Sequence, residues 1–115
     1  MTLGQVRDIV SILNPNVSNY LSIFAGRIAD TGRDPIPIMQ EALQILRGVP
    51  STELIWASPR EILNVFQAND IGCHIITVTN EILRKIPFVG YDLKKFSLDT
   101  VRMFHRDANL AGFSL

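Results

Sequence analysis

Arg27 and Arg60 stand where a chain this apolar has little structural use for charge. Arg27 ends the run Leu21-Ser22-Ile23-Phe24-Ala25-Gly26 and is followed by Ile28. Arg60 comes two residues after Ser58, just beyond the short apolar run Leu54-Ile55-Trp56-Ala57. A guanidinium offers a planar fork of donors that matches phosphate oxygens. A helix opening at Ser58 would add free N–H groups and a partial positive charge. Thr77-Val78-Thr79-Asn80 contributes further hydroxyls at the end of a third apolar run. Such a set suits an anion, with a phosphorylated metabolite or phosphate itself as its natural ligand. Each residue also has a plainer reading. Ser58 fits a bare helix cap and Arg60 a solvated first-turn cation. Arg27, ending an apolar run, either snorkels or serves a site.

Other reactive side chains carry less. Cys73 is the single cysteine, so neither an intramolecular disulfide nor a cysteine-based metal cluster can form. It reads as a buried thiol. His74 reads as a core or interface residue. His105 lies on a helix without a carboxylate or cysteine at metal spacing. No metal or other cofactor is implied. Trp56 reads as packing. Asp30 with Arg33, and Arg106 with Asp107, read as surface charges. Lys+Arg and Asp+Glu balance at 11 each, which leaves no basic excess for nucleic acid. No apolar run reaches the length of a membrane span, and the N-terminus lacks a signal-peptide pattern. The expectation is a cytoplasmic protein without membrane partners.

Helix-like and strand-like segments alternate to position these groups. Thr2 to Leu13 is helical by spacing, ended by Asn14-Pro15. Leu21 to Ile28 reads as a buried strand. Asp34 caps a helix with Pro35 in its first turn, and Gly48 and Pro50 end it. Leu54 to Ala57 reads as a second strand. Ser58 and Glu61 have capping-box spacing for the next helix, which closes at Asp70-Ile71-Gly72. Cys73 to Val78 is the third strand. Thr79 or Asn80 caps a short helix running through Lys85. Ser97 is the expected cap of the last helix. Such alternation implies an α/β fold with parallel strands and right-handed crossovers.

The length of 115 residues suits a single unit. Three parallel strands are nevertheless incomplete, since doubly wound sheets and barrels need more. The sheet should have two unprotected edges, and Ile23, Ile55 and Ile76 are candidates for a further apolar face. That predicts a homo-oligomer formed through exposed strand edges.

At these same positions the chain resembles the transaldolase and fructose-6-phosphate aldolase family. Ser22-Ile23-Phe24-Ala25-Gly26-Arg27-Ile28 is similar to the family motif S-x-[FY]-V-[GN]-R-[IV] of barrel strand 6. Trp56-Ala57-Ser58-Pro59-Arg60 is similar to A-S-[FP]-[RK] of strand 7. Gly72 and the run Cys73 to Thr79 resemble strand 8, and Asp99 to Gly112 resembles the C-terminal helix. The resemblance implies a partial (β/α) TIM barrel, strands 6 to 8 with their helices. It implies that Arg27, Ser58 and Arg60 bind the substrate phosphate and that Ser22 lines the site nearer the sugar.

The family's reaction forms a Schiff base on a lysine of strand 4, with carboxylates of strands 1 and 3 handling protons. Here the lysines are Lys85, Lys94 and Lys95, none at the end of an apolar strand, and no strand interior is expected to carry a carboxylate. The resemblance therefore describes a C-terminal portion of a transaldolase-like enzyme of pentose phosphate type metabolism. It would contribute the phosphate site and be inactive alone. A non-catalytic sugar-phosphate-binding module and a subunit completing a split barrel are the alternatives.

Overall fold

A computed structural model describes residues 1–112. The chain divides into two compact units, the first Met1–Arg84 and the second beginning at Lys85. In the first unit the elements run α1 (Leu3–Val10), β1 (Asn19–Ile23), α2 (Ala25–Asp30), α3 (Ile36–Leu46), β2 (Thr52–Trp56), α4 (Leu63–Asp70), β3 (Ile75–Ile76) and α5 (Asn80–Leu83). The strands form one parallel sheet in the order β1-β2-β3. With its flanking helices this is the α/β arrangement expected, consistent with part of a (β/α) barrel.

Register decides which side chains face which layer. Leu21 pairs with Leu54, and Ile23 with Trp56, which pairs in turn with Ile76. Side chains alternate along a strand, and neighbours in register share a face. Leu21, Ile23, Leu54 and Trp56 therefore point together into the core. They meet Val6 of α1, Ala25 and Ile28 of α2, Met39, Ala42 and Leu46 of α3, and Ala68 of α4. The opposite face carries Tyr20, Ser22, Glu53 and Ile55. Of the three isoleucines expected on that face, only Ile55 is there. Ile23 is buried on the helix side, and Ile76 packs against the same core. Glu53 also corrects the expectation of strands without carboxylates, because β2 begins two residues before Leu54.

Capping sets the helices. Thr2 accepts from the Gln5 N–H, while the Gln5 side chain accepts from the Thr2 N–H, a capping box that opens α1. The Asp34 carboxylate accepts from the Ile36 N–H (2.9 Å) ahead of α3. Met39, Ala42 and Leu46 then fall on one face at i, i+3 and i+7.

The expected strand from Leu21 to Ile28 is instead a strand followed by a helix. β1 stops at Ile23, and the Arg27 and Ile28 N–H groups both donate to the Phe24 carbonyl (3.0 and 3.1 Å), which starts α2. A short apolar run does not reveal its own period, so strand and buried helix read alike. Ala25 and Ile28, three apart, are the buried face of that helix.

The third strand is shorter than Cys73 to Val78. Cys73 N–H donates to the Ala68 carbonyl (2.9 Å), tying it to the end of α4. Nδ1 of His74 accepts from the Leu54 N–H (2.9 Å), so a side chain takes the place of a strand carbonyl in the ladder. Regular pairing is left to Ile75 and Ile76. The Cys73 thiol is half-buried, and burial pushes its pKa up. Thr79 caps α5, accepting from the Ile82 N–H (3.3 Å).

In the second unit a 3-10 turn, Ile86–Phe88, leads to α6 (Leu93–Leu110). The cap is Asp92, which accepts from the Lys95 N–H (2.8 Å), rather than Ser97. Phe88, Tyr91 and Phe96 form an edge-to-face cluster with centroids 5.4 to 6.3 Å apart. The Tyr91 hydroxyl donates to Asp99 (2.7 Å). That bond raises the tyrosine pKa, and partial desolvation adds to it. No helix among the described residues is long and apolar enough to cross a membrane.

Candidate functional site

The C-terminal ends of β1 and β2 are stitched by two backbone hydrogen bonds. Ala57 N–H donates to the Ile23 carbonyl (2.9 Å), and Gly26 N–H donates to the Ala57 carbonyl (3.2 Å). The first turn of α2 is thereby pressed onto the loop that follows β2. Contact is so close that a Cβ built on Gly26 would lie 1.4 Å from the Ser58 carbonyl oxygen. Glycine is needed here for approach rather than for an unusual dihedral. β3 joins the same rim, with Thr77 N–H donating to the Trp56 carbonyl (3.1 Å).

Ser58 sits at the centre of this interlock. Its φ of 57° lies in the left-handed region, and it is the only non-glycine among the described residues with a positive φ. A serine held there signals a backbone dictated by its surroundings. Ser58 is not the helix cap expected of it, and the capping box with Glu61 does not form. α4 begins at Leu63, and the Asn64 side-chain carbonyl accepts from the Arg60 and Glu61 N–H groups (2.8 and 3.0 Å). Asn64 thus does the work that the spacing assigned to Ser58. The half-buried serine is left in the irregular loop between β2 and α4, against the first turn of α2.

Arg27 lies on α2 next to Gly26, exposed, and forms no ion pair among the described residues. Arg60 lies beyond Pro59 in the β2–α4 loop. Its Nε donates to Asp30 Oδ1 (3.0 Å) and its Nη2 to Oδ2. Asp30 is the last residue of α2, so this pair bridges the two elements that the glycine contact presses together. Hydrogen bonds from Arg60 hold the Asp30 carboxyl below the usual carboxylate range. Partial desolvation opposes them, and the charges of Arg60 and then Arg27 add to the depression. Both arginines therefore act on one carboxylate at one rim of the sheet.

Asp30 is the site-region residue that sequence reasoning missed. It read as a surface partner of Arg33, whose Nη1 donates instead to the Thr31 hydroxyl (2.9 Å). Ser22 is not part of this cluster. It lies on the sheet face away from the helices, in register with Ile55, and lines a cavity of about 330 Å³ along α1 and β1 with Gln5, Ile9 and others.

The model of the transaldolase/fructose-6-phosphate aldolase family matches residues 1–114. The chain belongs to that family. Among curated relatives, a probable transaldolase of Syntrophomonas wolfei is 30% identical over 91 residues, covering 76% of this chain and 43% of the relative. One of Desulforudis audaxviator is 33% identical over 94 residues, covering 77% and 43%. One of Caldicellulosiruptor saccharolyticus is 37% identical over 71 residues, covering 60% and 33%. The chain thus spans about two fifths or less of these relatives' length.

Proposed function

We propose that this chain supplies the phosphate-binding rim of a transaldolase-type enzyme of pentose phosphate type metabolism, corresponding to barrel strands 6 to 8. Arg27 and Arg60 would hold the substrate phosphate, with Ser58 between them offering its hydroxyl. Ser22, deeper on the open sheet face, would line the path toward the sugar. The observation that carries this reading is the close approach of Gly26 and Ser58. It sets the α2 arginine and the β2–α4 loop around one rim at the strand ends, where ligands of α/β folds bind. Charge-assisted bonds to phosphate contribute roughly 1.5–3 kcal/mol each.

Titration of inorganic phosphate followed by calorimetry is the direct test. Arg27→Ala should weaken binding about tenfold or more. Equal binding by the wild-type chain and the variant would overturn the assignment.

Catalysis is a separate matter. The first unit contains no lysine, and Lys85, Lys94 and Lys95 all lie in the second. None is carried by a strand, where an imine-forming amine would be held against a substrate carbonyl. The chain alone should therefore form no imine with fructose 6-phosphate. Borohydride trapping and mass spectrometry should find no adduct. A reduced adduct on any of the three lysines would show the chain to be competent by itself.

A further inference from the structure

We propose that Asp30 is a positioning residue for the anion site, acting through Arg60. The inference rests on the phosphate reading above and goes beyond it by naming what aims the arginine.

A guanidinium has two edges that can each grip an oxyanion, the Nε–Nη2 side and the Nη1–Nη2 end. Asp30 occupies the side edge, through Nε to Oδ1 and Nη2 to Oδ2. The end edge, one Nη1 proton and the second Nη2 proton, has no partner among the described residues and is left for a ligand. Arg60 is also held at its other extreme, since its backbone N–H donates to Asn64 Oδ1 (2.8 Å). Asn64 is itself oriented by its amide, which donates to Gln67 Oε1 (2.9 Å). A long side chain pinned at both ends loses its rotamer freedom before the ligand arrives. That lowers the entropic cost of binding. Arg27 has no such brace among the described residues, so the two arginines would differ in how far they are pre-set.

Asp30 also brings a negative charge near a site for an anion. Positioning and repulsion pull phosphate affinity in opposite directions, so the sign of the change on removing that charge separates them. Asp30→Asn keeps one acceptor for Nε but sets a donor against Nη2, which frees the guanidinium to rotate. Asp30→Glu restores a carboxylate able to take both bonds.

The experiment titrates inorganic phosphate into the 115-residue wild-type chain, Asp30→Asn and Asp30→Glu. The Arg60 Nε–H resonance is followed alongside, and circular dichroism confirms each fold. Asp30→Asn should weaken phosphate about fivefold despite the lost repulsion, the upper end for an exposed pair of good geometry. Its Nε–H signal should broaden into rapid exchange with water. Asp30→Glu should recover both. Unchanged or tighter phosphate binding by Asp30→Asn would overturn the positioning role while leaving the phosphate site standing. A wild-type chain that binds no phosphate would remove the site reading, and this inference with it.

Discussion

Gly26→Ala is expected to destabilise the first unit by roughly 3 kcal/mol or more, at or beyond the usual range for overpacking. The added Cβ would lie 1.4 Å from the Ser58 carbonyl oxygen and 2.5 Å from its carbonyl carbon. These are main-chain atoms, so no rotamer change relieves the clash. Either α2 lifts from the rim, or the β2–α4 loop moves. Both movements break the Gly26 N–H bond to the Ala57 carbonyl. Both also separate Arg27 from Ser58 and Arg60, so phosphate affinity should fall with stability.

Gly4→Ala supplies the control. A Cβ there meets nothing nearer than the Thr2 hydroxyl at 3.9 Å, and the position lies inside α1. Alanine should stabilise that helix by about 0.5–1 kcal/mol. Urea denaturation of both variants decides the matter. A Gly26→Ala chain as stable as wild type would show that the interlock yields easily and does not define the rim.

That interlock marks where sequence reading stopped. The α1 and α3 faces, the Thr79 cap and the parallel order of three apolar strands follow from patterns within a few residues. So does the choice of Arg27 and Arg60 as residues of interest. What stayed hidden depends on contacts across the chain. The run from Leu21 to Ile28 contains a strand end and a helix start, because Ala25 is buried in the core and Gly26 is pressed against the Ser58 carbonyl, contacts that strand or helix propensity does not announce. Ser58 and Glu61 have the spacing of a cap, yet Asn64 caps those N–H groups because Ser58 is drawn into a left-handed conformation beside Gly26. Asp30 and Arg60 are thirty residues apart. Nothing local in either segment announces the pair. His74 reads as a strand residue, but its ring accepts a ladder N–H that a main-chain carbonyl would take in a regular strand.

Trp56→Ala should remove about 3–5 kcal/mol from the stability of the first unit. Trp56 is 1% exposed and is the largest side chain in the core, in register with Ile23 on one side and Ile76 on the other. A domain of this kind has only about 5–15 kcal/mol in total, so the alanine variant should lose a large share of its stability and unfold at a markedly lower temperature. Trp56→Phe should behave quite differently. The indole Nε1 is buried without a hydrogen-bond partner among the described residues. An orphaned donor costs roughly 1–3 kcal/mol, and phenylalanine removes it together with some packing volume. The two effects oppose each other, so the phenylalanine variant should lie within about 1 kcal/mol of wild type. Because Trp56 is the only tryptophan, unfolding of all three chains should be followed by circular dichroism rather than by indole fluorescence. The rim supplies a second readout. Trp56 directly precedes Ala57, whose N–H and carbonyl join β1 and α2, and its own carbonyl holds Thr77. Phosphate affinity should therefore survive in Trp56→Phe and be lost in Trp56→Ala under conditions where that chain loosens. Equal losses of stability in the two variants would show that the indole nitrogen is satisfied in solution and that its burial carries no penalty.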